Sequence, residues 1–231
     1  MPKILFQTGI NDLDKLLYGG VPAGYIVTCA GKPGSGKTFV LRQFALQGLK
    51  ENELVIYIAP FKSPERIVEA MHLQNLEFET KKINFFIFQG VNSTNPEINQ
   101  IGNFNSLNDL VIAILEFIKE SNAKKIRLVL ENLSSFFVIA KKEQVFEFLK
   151  ELFLIVRKNN IVALLEVHEN SHDEIELAKI QSLTDGDITF KIEDTKRFLM
   201  VKRLQDTIID IKWIPFELKQ GEGIKILEFF K

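Results

Sequence analysis

Gly31-Lys32-Pro33-Gly34-Ser35-Gly36-Lys37-Thr38 carries the spacing GxxxxGK[ST], the Walker A pattern of a phosphate-binding loop (P-loop). Glycines let the backbone wrap a polyphosphate with its N–H groups turned inward, where side chains would block the approach. The Lys37 ammonium can reach the outer phosphates, and the Thr38 hydroxyl can hold Mg²⁺. Such a short pattern also arises by chance as a glycine-rich turn, so its flanks matter. Tyr25 to Ala30 reads as a buried strand, and Thr38 to Lys50 reads as a helix without proline. Strand, glycine loop and helix, in that order, make an anion site at a helix N-terminus. Gly31 through Thr38, with Phe39 behind them, are therefore the candidate set for ATP, with Mg²⁺ as its companion.

The rest of the chain must position that loop. At 231 residues and 46% hydrophobic content it suits one α/β domain, spanning 1–231, with a full core. The net charge of −1 gives no global sign of nucleic acid or an anionic membrane as partner. Cys29 is the single cysteine, which excludes an internal disulfide and fits a reducing, cytoplasmic setting. Its place inside a strand reads as a small buried residue rather than a reactive thiol. The most apolar helix, near Phe146–Val156, is interrupted by Glu147, Lys150 and Glu151, so no membrane insertion is expected.

Taken in order, 8–17 reads as a short helix with Leu13, Leu16 and Leu17 on one face, and 19–24 as a turn cluster. Strands are expected at Leu54–Ala59, Ile83–Phe88, Ile126–Leu130 and Ile161–Val167. Helices are expected after Ser63-Pro64, carrying Ile67, Val68, Met71 and Leu76, and at 106–121, 142–158 and 173–181. Val91 to Asn105, with five asparagines, reads as a solvated loop. Four strands close the chain, at 187–192, 197–202, 208–216 and 224–229. Alternating strands and helices followed by a run of strands predict a parallel-centred sheet covered by helices on both faces and extended by antiparallel C-terminal strands.

The run Thr8-Gly9-Ile10, Leu13-Asp14, Leu17, Gly19-Gly20-Val21-Pro22 and Gly24, followed by the glycine loop, resembles the opening segment of the KaiC-like branch of RecA-superfamily ATPases. Pro215-Phe216-Glu217-Leu218 and Gly223 to Leu227 are similar to that branch's closing hairpin. The resemblance covers nearly the whole chain and implies a RecA-like fold, ATP and Mg²⁺ as cofactors, and a homo-oligomer, usually a ring.

The catalytic positions depart from that family. Its members usually carry Asp-Ser-Leu-Ser after the strand that ends here at Leu130, and this chain has Glu131-Asn132-Leu133-Ser134. Glu131, one methylene longer than Asp, is thus the expected magnesium partner beside Thr38. The family also carries glutamate as the water-activating base after the strand that ends at Ala59. Here that stretch is Pro60-Phe61-Lys62-Ser63, without a carboxylate before Glu65. Glu166, His168 and Glu131 itself remain candidates for work on water, with His168 placed as a phosphate sensor. A Lys-x-Arg pair that reaches a neighbouring subunit in the family becomes Lys202-Arg203-Leu204.

These departures predict an intact binding apparatus and slow or absent hydrolysis. They suit an ATP-gated assembly or regulatory subunit with a protein partner. The chain resembles archaeal archaellum accessory ATPase-like proteins through Asn103-Phe104-Asn105, Glu131 to Ser134 and Val167-His168, signals that other KaiC-like branches can share. A RadA-paralogue-like accessory of DNA recombination and a KaiC-like signalling ATPase are the alternatives. Glu169, Asp173, Glu174 and Glu176 would repel DNA phosphates, which disfavours DNA, and Lys141 and Lys142 are a thin basic footprint.

Overall fold

A computed structural model describes residues 4–73 and 78–227. In chain order the elements are β1 (Leu5–Phe6), α1 (Asn11–Leu16), β2 (Val21–Pro22), β3 (Ile26–Gly31), α2 (Lys37–Lys50), β4 (Leu54–Pro60), α3 (Pro64–His72), β5 (Ile83–Phe88), β6 (Gln100–Phe104) and α4 (Leu107–Ser121). They continue with β7 (Ile126–Leu130), α5 (Phe136–Ile139), α6 (Lys142–Lys158), β8 (Val162–His168), α7 (Glu174–Ser182), β9 (Gly186–Glu193), β10 (Lys196–Leu204), β11 (Ile214–Lys219) and β12 (Gly223–Ile226).

The main sheet has the order β12-β11-β10-β9-β3-β8-β7-β4-β5-β6. Strands β9 through β6 in that order are parallel, and β10, β11 and β12 are added antiparallel. The expected architecture is therefore observed. Its central strands are buried on both faces, as parallel strands under crossover helices must be. Alternation along β4 sorts the two cores: Val55, Tyr57 and Ala59 face the side covered by α1, α2 and α3, while Ile56 and Ile58 face α4 and α6. Helix α4 buries Leu107, Leu110, Val111, Ile114 and Ile118 along one stripe, and Ser106 caps it by accepting from Asp109 N at 3.4 Å.

Three expectations are corrected. The asparagine-rich stretch is not all loop, because Gln100–Phe104 pairs with β5 as the sheet's outer strand. An edge strand tolerates polar residues on its solvent side, and Ile101 and Phe104 still pack on the α4 core. Asn103 adds a two-way bridge to the backbone of Gly90, at 3.0 and 3.3 Å. The strand expected at 208–216 begins only at Ile214, and 207–213 runs free of regular structure. Ile208 is 89% exposed there, and the ladder between β10 and β11 stops at the Leu199–Ile214 pair. The first helix is shorter than 8–17, although Leu13, Leu16 and Leu17 are buried as expected. Leu76 and Phe229, placed in a helix and a strand above, lie outside the described residues.

Residues far apart in sequence are tied by one buried cation. Arg127 on β7 is fully buried, ion-paired to Glu53 and bonded to the carbonyls of Gln7 and Phe44. Its guanidinium lies 4.6 Å from the Phe44 ring centroid. Gly48 leaves room for it, because a Cβ there would come within 2.6 Å of Arg127 Cδ. This tie holds the N-terminal segment, α2 and β7 together beneath the loop.

Candidate functional site

The glycine loop leaves β3 at Gly31 and enters α2 at Lys37. At two positions only glycine fits. A Cβ on Gly31 would lie 2.4 Å from the Phe190 carbonyl oxygen on neighbouring β9, and Gly36 has φ +101° with the Phe216 ring 2.8 Å from its would-be Cβ. The C-terminal strands thus clamp the loop from one side. Arg197 of β10 adds to the clamp, with Nε donating to Gly34 O at 3.1 Å. Beside it a cavity of about 770 Å³ is lined in part by Arg197, Phe216 and Ile226.

The first N–H groups of α2 have no carbonyl one turn behind them, so they point into the loop as anion donors. Lys37 is 2% exposed and folds back to donate to Lys32 O at 2.9 Å. Burial lowers its pKa, and the nearby Glu166 carboxylate opposes that. Ser35 is fully buried, yet its hydroxyl has no hydrogen-bond partner. A buried, unpartnered hydroxyl inside a glycine loop is a donor that a phosphate oxygen would satisfy. The loop therefore fits a nucleotide.

Thr38 and Arg42 lie one turn apart on the face of α2 turned to the sheet, and they meet carboxylates on or after adjacent strands. The Thr38 hydroxyl donates to Glu166 Oε1 at 2.7 Å. Arg42 Nη2 lies 3.3 Å from Glu131 Oε1. Glu131 follows the last residue of β7 and is fully buried. It also accepts from the Tyr57 hydroxyl on β4 and from Lys62 Nζ. Burial pushes its carboxyl up, but the charges of Arg42 and Lys62 and these bonds outweigh that and hold it below the usual carboxylate range. Burial likewise keeps Tyr57 protonated, well above its ordinary value, so it stays a donor.

The expected position of the base holds no carboxylate. Phe61 follows β4 with φ +58°, a left-handed conformation rare for a bulky residue, and is half-exposed. That kink precedes Lys62, whose ammonium bonds Glu131. Thr38, expected beside Glu131 as a magnesium ligand, thus makes its direct carboxylate contact with Glu166. Sequence reasoning held Glu166 only as a base candidate. Its signal was a charge in the apolar run of β8, where a carboxylate needs a dedicated partner.

His168 ends β8 with its backbone N–H donating to Ser134 Oγ at 2.9 Å. Its Nε2 is 3.7 Å from Glu166 Oε1. Burial and the neighbouring Lys37 lower its pKa, with Lys62 and His172 adding to the effect against Glu166. Burial also raises the Cys29 thiol far above its ordinary range, with Glu166 next, which leaves it unreactive.

Of the cations proposed for a neighbouring subunit, Arg203 is used internally. Its Nε donates to Asp187 Oδ2 at 2.9 Å and its Nη2 to Thr184 O at 2.9 Å. Lys202 falls at a break in register between β10 and β9 and is exposed. Lys142 pairs with Glu176 at 3.0 Å, which thins the basic footprint further. Among the described residues no helix is long and apolar enough to cross a membrane.

Comparison with known proteins gives a consistent result. The family profile described as "ATPase: KaiC" matches residues 6–229. An archaeal flagellar ATP-binding protein, FlaH of Sulfolobus acidocaldarius, is 25% identical over 97% of this chain and 97% of its own length. A UPF0273 protein of Thermotoga maritima is 24% identical over 95% of this chain and 94% of its own. The crystal structure of a KaiC-like protein from Pyrococcus horikoshii superposes with a TM-score of 0.78 at 23% identity, covering 98% of this chain and 100% of that one, and shows the shared fold.

Proposed function

The chain belongs to the KaiC family of ATPases, and from that premise we propose that it binds Mg-ATP in the glycine loop, hydrolyses it slowly or not at all, and uses ATP to gate assembly with further copies and a protein partner. Gly31 through Thr38 would hold the phosphates, with Lys37 exchanging its bond to Lys32 O for them. Bound Mg²⁺ would neutralise phosphate charge, and the Thr38 hydroxyl is its ligand from this chain. The cavity beside Arg197 and Phe216 is the space adjoining the loop that suits a nucleoside.

One observation carries the reading on hydrolysis. Where the family has a carboxylate base, this chain has a left-handed Phe61 and a Lys62 already bound to Glu131. A cation cannot take a proton from water, and losing such a group normally lowers rates by orders of magnitude. The assembly reading is supported by apolar side chains open to solvent, with Val138 at 81% and Ile208 at 89% exposure. The similarity to FlaH favours an archaellum-related role. A DNA-repair role has weaker support, because Lys142 is paired and acidic residues surround it.

Calorimetric titration of ATP into wild type and Lys37→Ala tests the binding. Equal affinity for both would sink it. Single-turnover phosphate release tests the turnover, and a rate at or above ~1 s⁻¹, inside the ordinary enzyme range, would refute a silent site.

A further inference from the structure

Two buried carboxylates face α2, and their charges are balanced in different ways. Glu131 has two cations from its own chain, Arg42 and Lys62, and a phenolic donor in Tyr57. It is a closed group: its charge is compensated whether or not the loop is filled. Bringing a divalent cation against it would also crowd that ion with an ammonium and a guanidinium.

Glu166 differs. Its ion pairs among the described residues are with Lys37 at 3.9 Å and with His168 at 3.7 Å, and the latter counts only when the ring is protonated. Lys37 is the one lysine or arginine ion-paired with Glu166 among the described residues, with Arg42 acting on it from further off, and Lys37 is the residue a triphosphate would claim. Once Lys37 turns to phosphate, Glu166 is a nearly buried carboxylate that has lost its ion pair with Lys37, a costly state. It is also the group that already touches the metal-ligating hydroxyl, through the 2.7 Å bond from Thr38. Its second oxygen accepts from Asn132 N at 3.3 Å, which leaves lone pairs for a metal-bound water.

We infer that the magnesium-facing carboxylate of this site is Glu166 on β8, and that Glu131, at the strand end where the family keeps that acid, is an internal counter-ion for Arg42 and Lys62. The inference rests on the Mg-ATP reading. It makes Glu166 a positioning residue that acts through Thr38 and the water shell of the ion. It also joins two departures into one exchange: Lys62 took the place of the base and captured the β7 acid, and a carboxylate one strand nearer to the loop took over the acid's work.

The test is the magnesium dependence of ATP binding, read by calorimetry as the ratio of affinities with Mg²⁺ and with EDTA. Wild type, Glu166→Gln, Glu166→Asp and Glu131→Gln are compared, with folding checked by thermal melts. Expected is a ratio of tenfold or more in wild type, a ratio near one in Glu166→Gln, and partial recovery in Glu166→Asp. Metal-free affinity in Glu166→Gln should hold or tighten, since a negative charge near the phosphates is gone. A structural role alone would weaken both conditions together. Glu131→Gln should keep the wild-type ratio. If Glu131→Gln does not fold, the Glu166 variants decide alone. Loss of the ratio in Glu131→Gln, or its survival in Glu166→Gln, overturns the inference. Wild type that binds no ATP in either condition instead removes the Mg-ATP reading, and the inference falls with it.

Discussion

Lys62 donates a hydrogen bond to Glu131 across 69 positions of sequence, joining the segment after β4 to the end of β7. A cation from the stretch where the family resemblance places a base thus neutralises the acid that the same resemblance places beside magnesium. Lys62 is partly exposed, while Arg42 and Tyr57 hold the same carboxylate from the buried side. Lys62→Ala should therefore cost only about 1 kcal/mol or less in denaturant unfolding, as half-exposed pairs do. It should not restore hydrolysis, because no base is created. Single-turnover release in this variant at ~1 s⁻¹ or faster would show that Lys62 suppresses an otherwise competent site.

Arg127 carries the opposite expectation. It is fully buried against Glu53, so Arg127→Ala leaves that buried carboxylate with only the exposed Lys125 as partner and frees two backbone carbonyls. A loss of about 3–5 kcal/mol is expected in urea unfolding. A loss under 1 kcal/mol would mean that the N-terminal segment is not held through this residue.

Stability should fall in acid in two stages. The His168 pKa is lowered in the fold, so above the ordinary histidine value both states are neutral and nothing is lost. As pH falls below it, the unfolded chain takes a proton that the folded chain refuses, and stability declines until the folded value is passed. The Glu131 pKa is also lowered, so its contribution is full above the ordinary glutamate value and is lost as pH falls through the folded one. Melting temperatures from pH 8 to 3 read both stages. His168→Asn should flatten the upper one and Glu131→Gln the lower.

Ile208 and Ile211 project from the irregular segment before β11, at 89% and 63% exposure. Replacing both with Asp should leave stability within about 0.5 kcal/mol, as exposed sites allow. Light scattering should show wild type gaining mass with ATP and the double variant remaining at monomer mass. Equal ATP-dependent growth in both would exclude this segment from the contact.

DNA should bind poorly even with ATP present. Lys142 is tied to Glu176 and faces Asp173 at 3.8 Å, leaving few free cations after β7 and β8. Polarisation titrations near physiological salt should give Kd at about 10⁻⁴–10⁻⁶ M or weaker. Nanomolar binding that falls on neutralising Lys141 and Lys142 would restore the repair reading.

What the sequence determined by itself was local. The glycine loop between an apolar strand and a proline-free helix is legible because phosphate binding there uses backbone N–H groups at fixed spacing. The alternation of strands and helices is legible because periodicity lives within single elements. The missing carboxylate at Pro60–Ser63 could also be read directly. Tertiary structure decided which charges meet. Thr38 and Glu166 are 128 positions apart, and both Glu131 and Glu166 were acids close to the ends of central strands. Which of them faces the loop depends on the order β3-β8-β7, which sets β8 next to the loop strand and β7 one strand further away. Strand β6 stayed hidden for a related reason: its asparagines argue for a loop, and only the open edge of β5 gives that backbone a ladder to join. Pairings between distant segments follow from burial and sheet order, which no window of sequence contains.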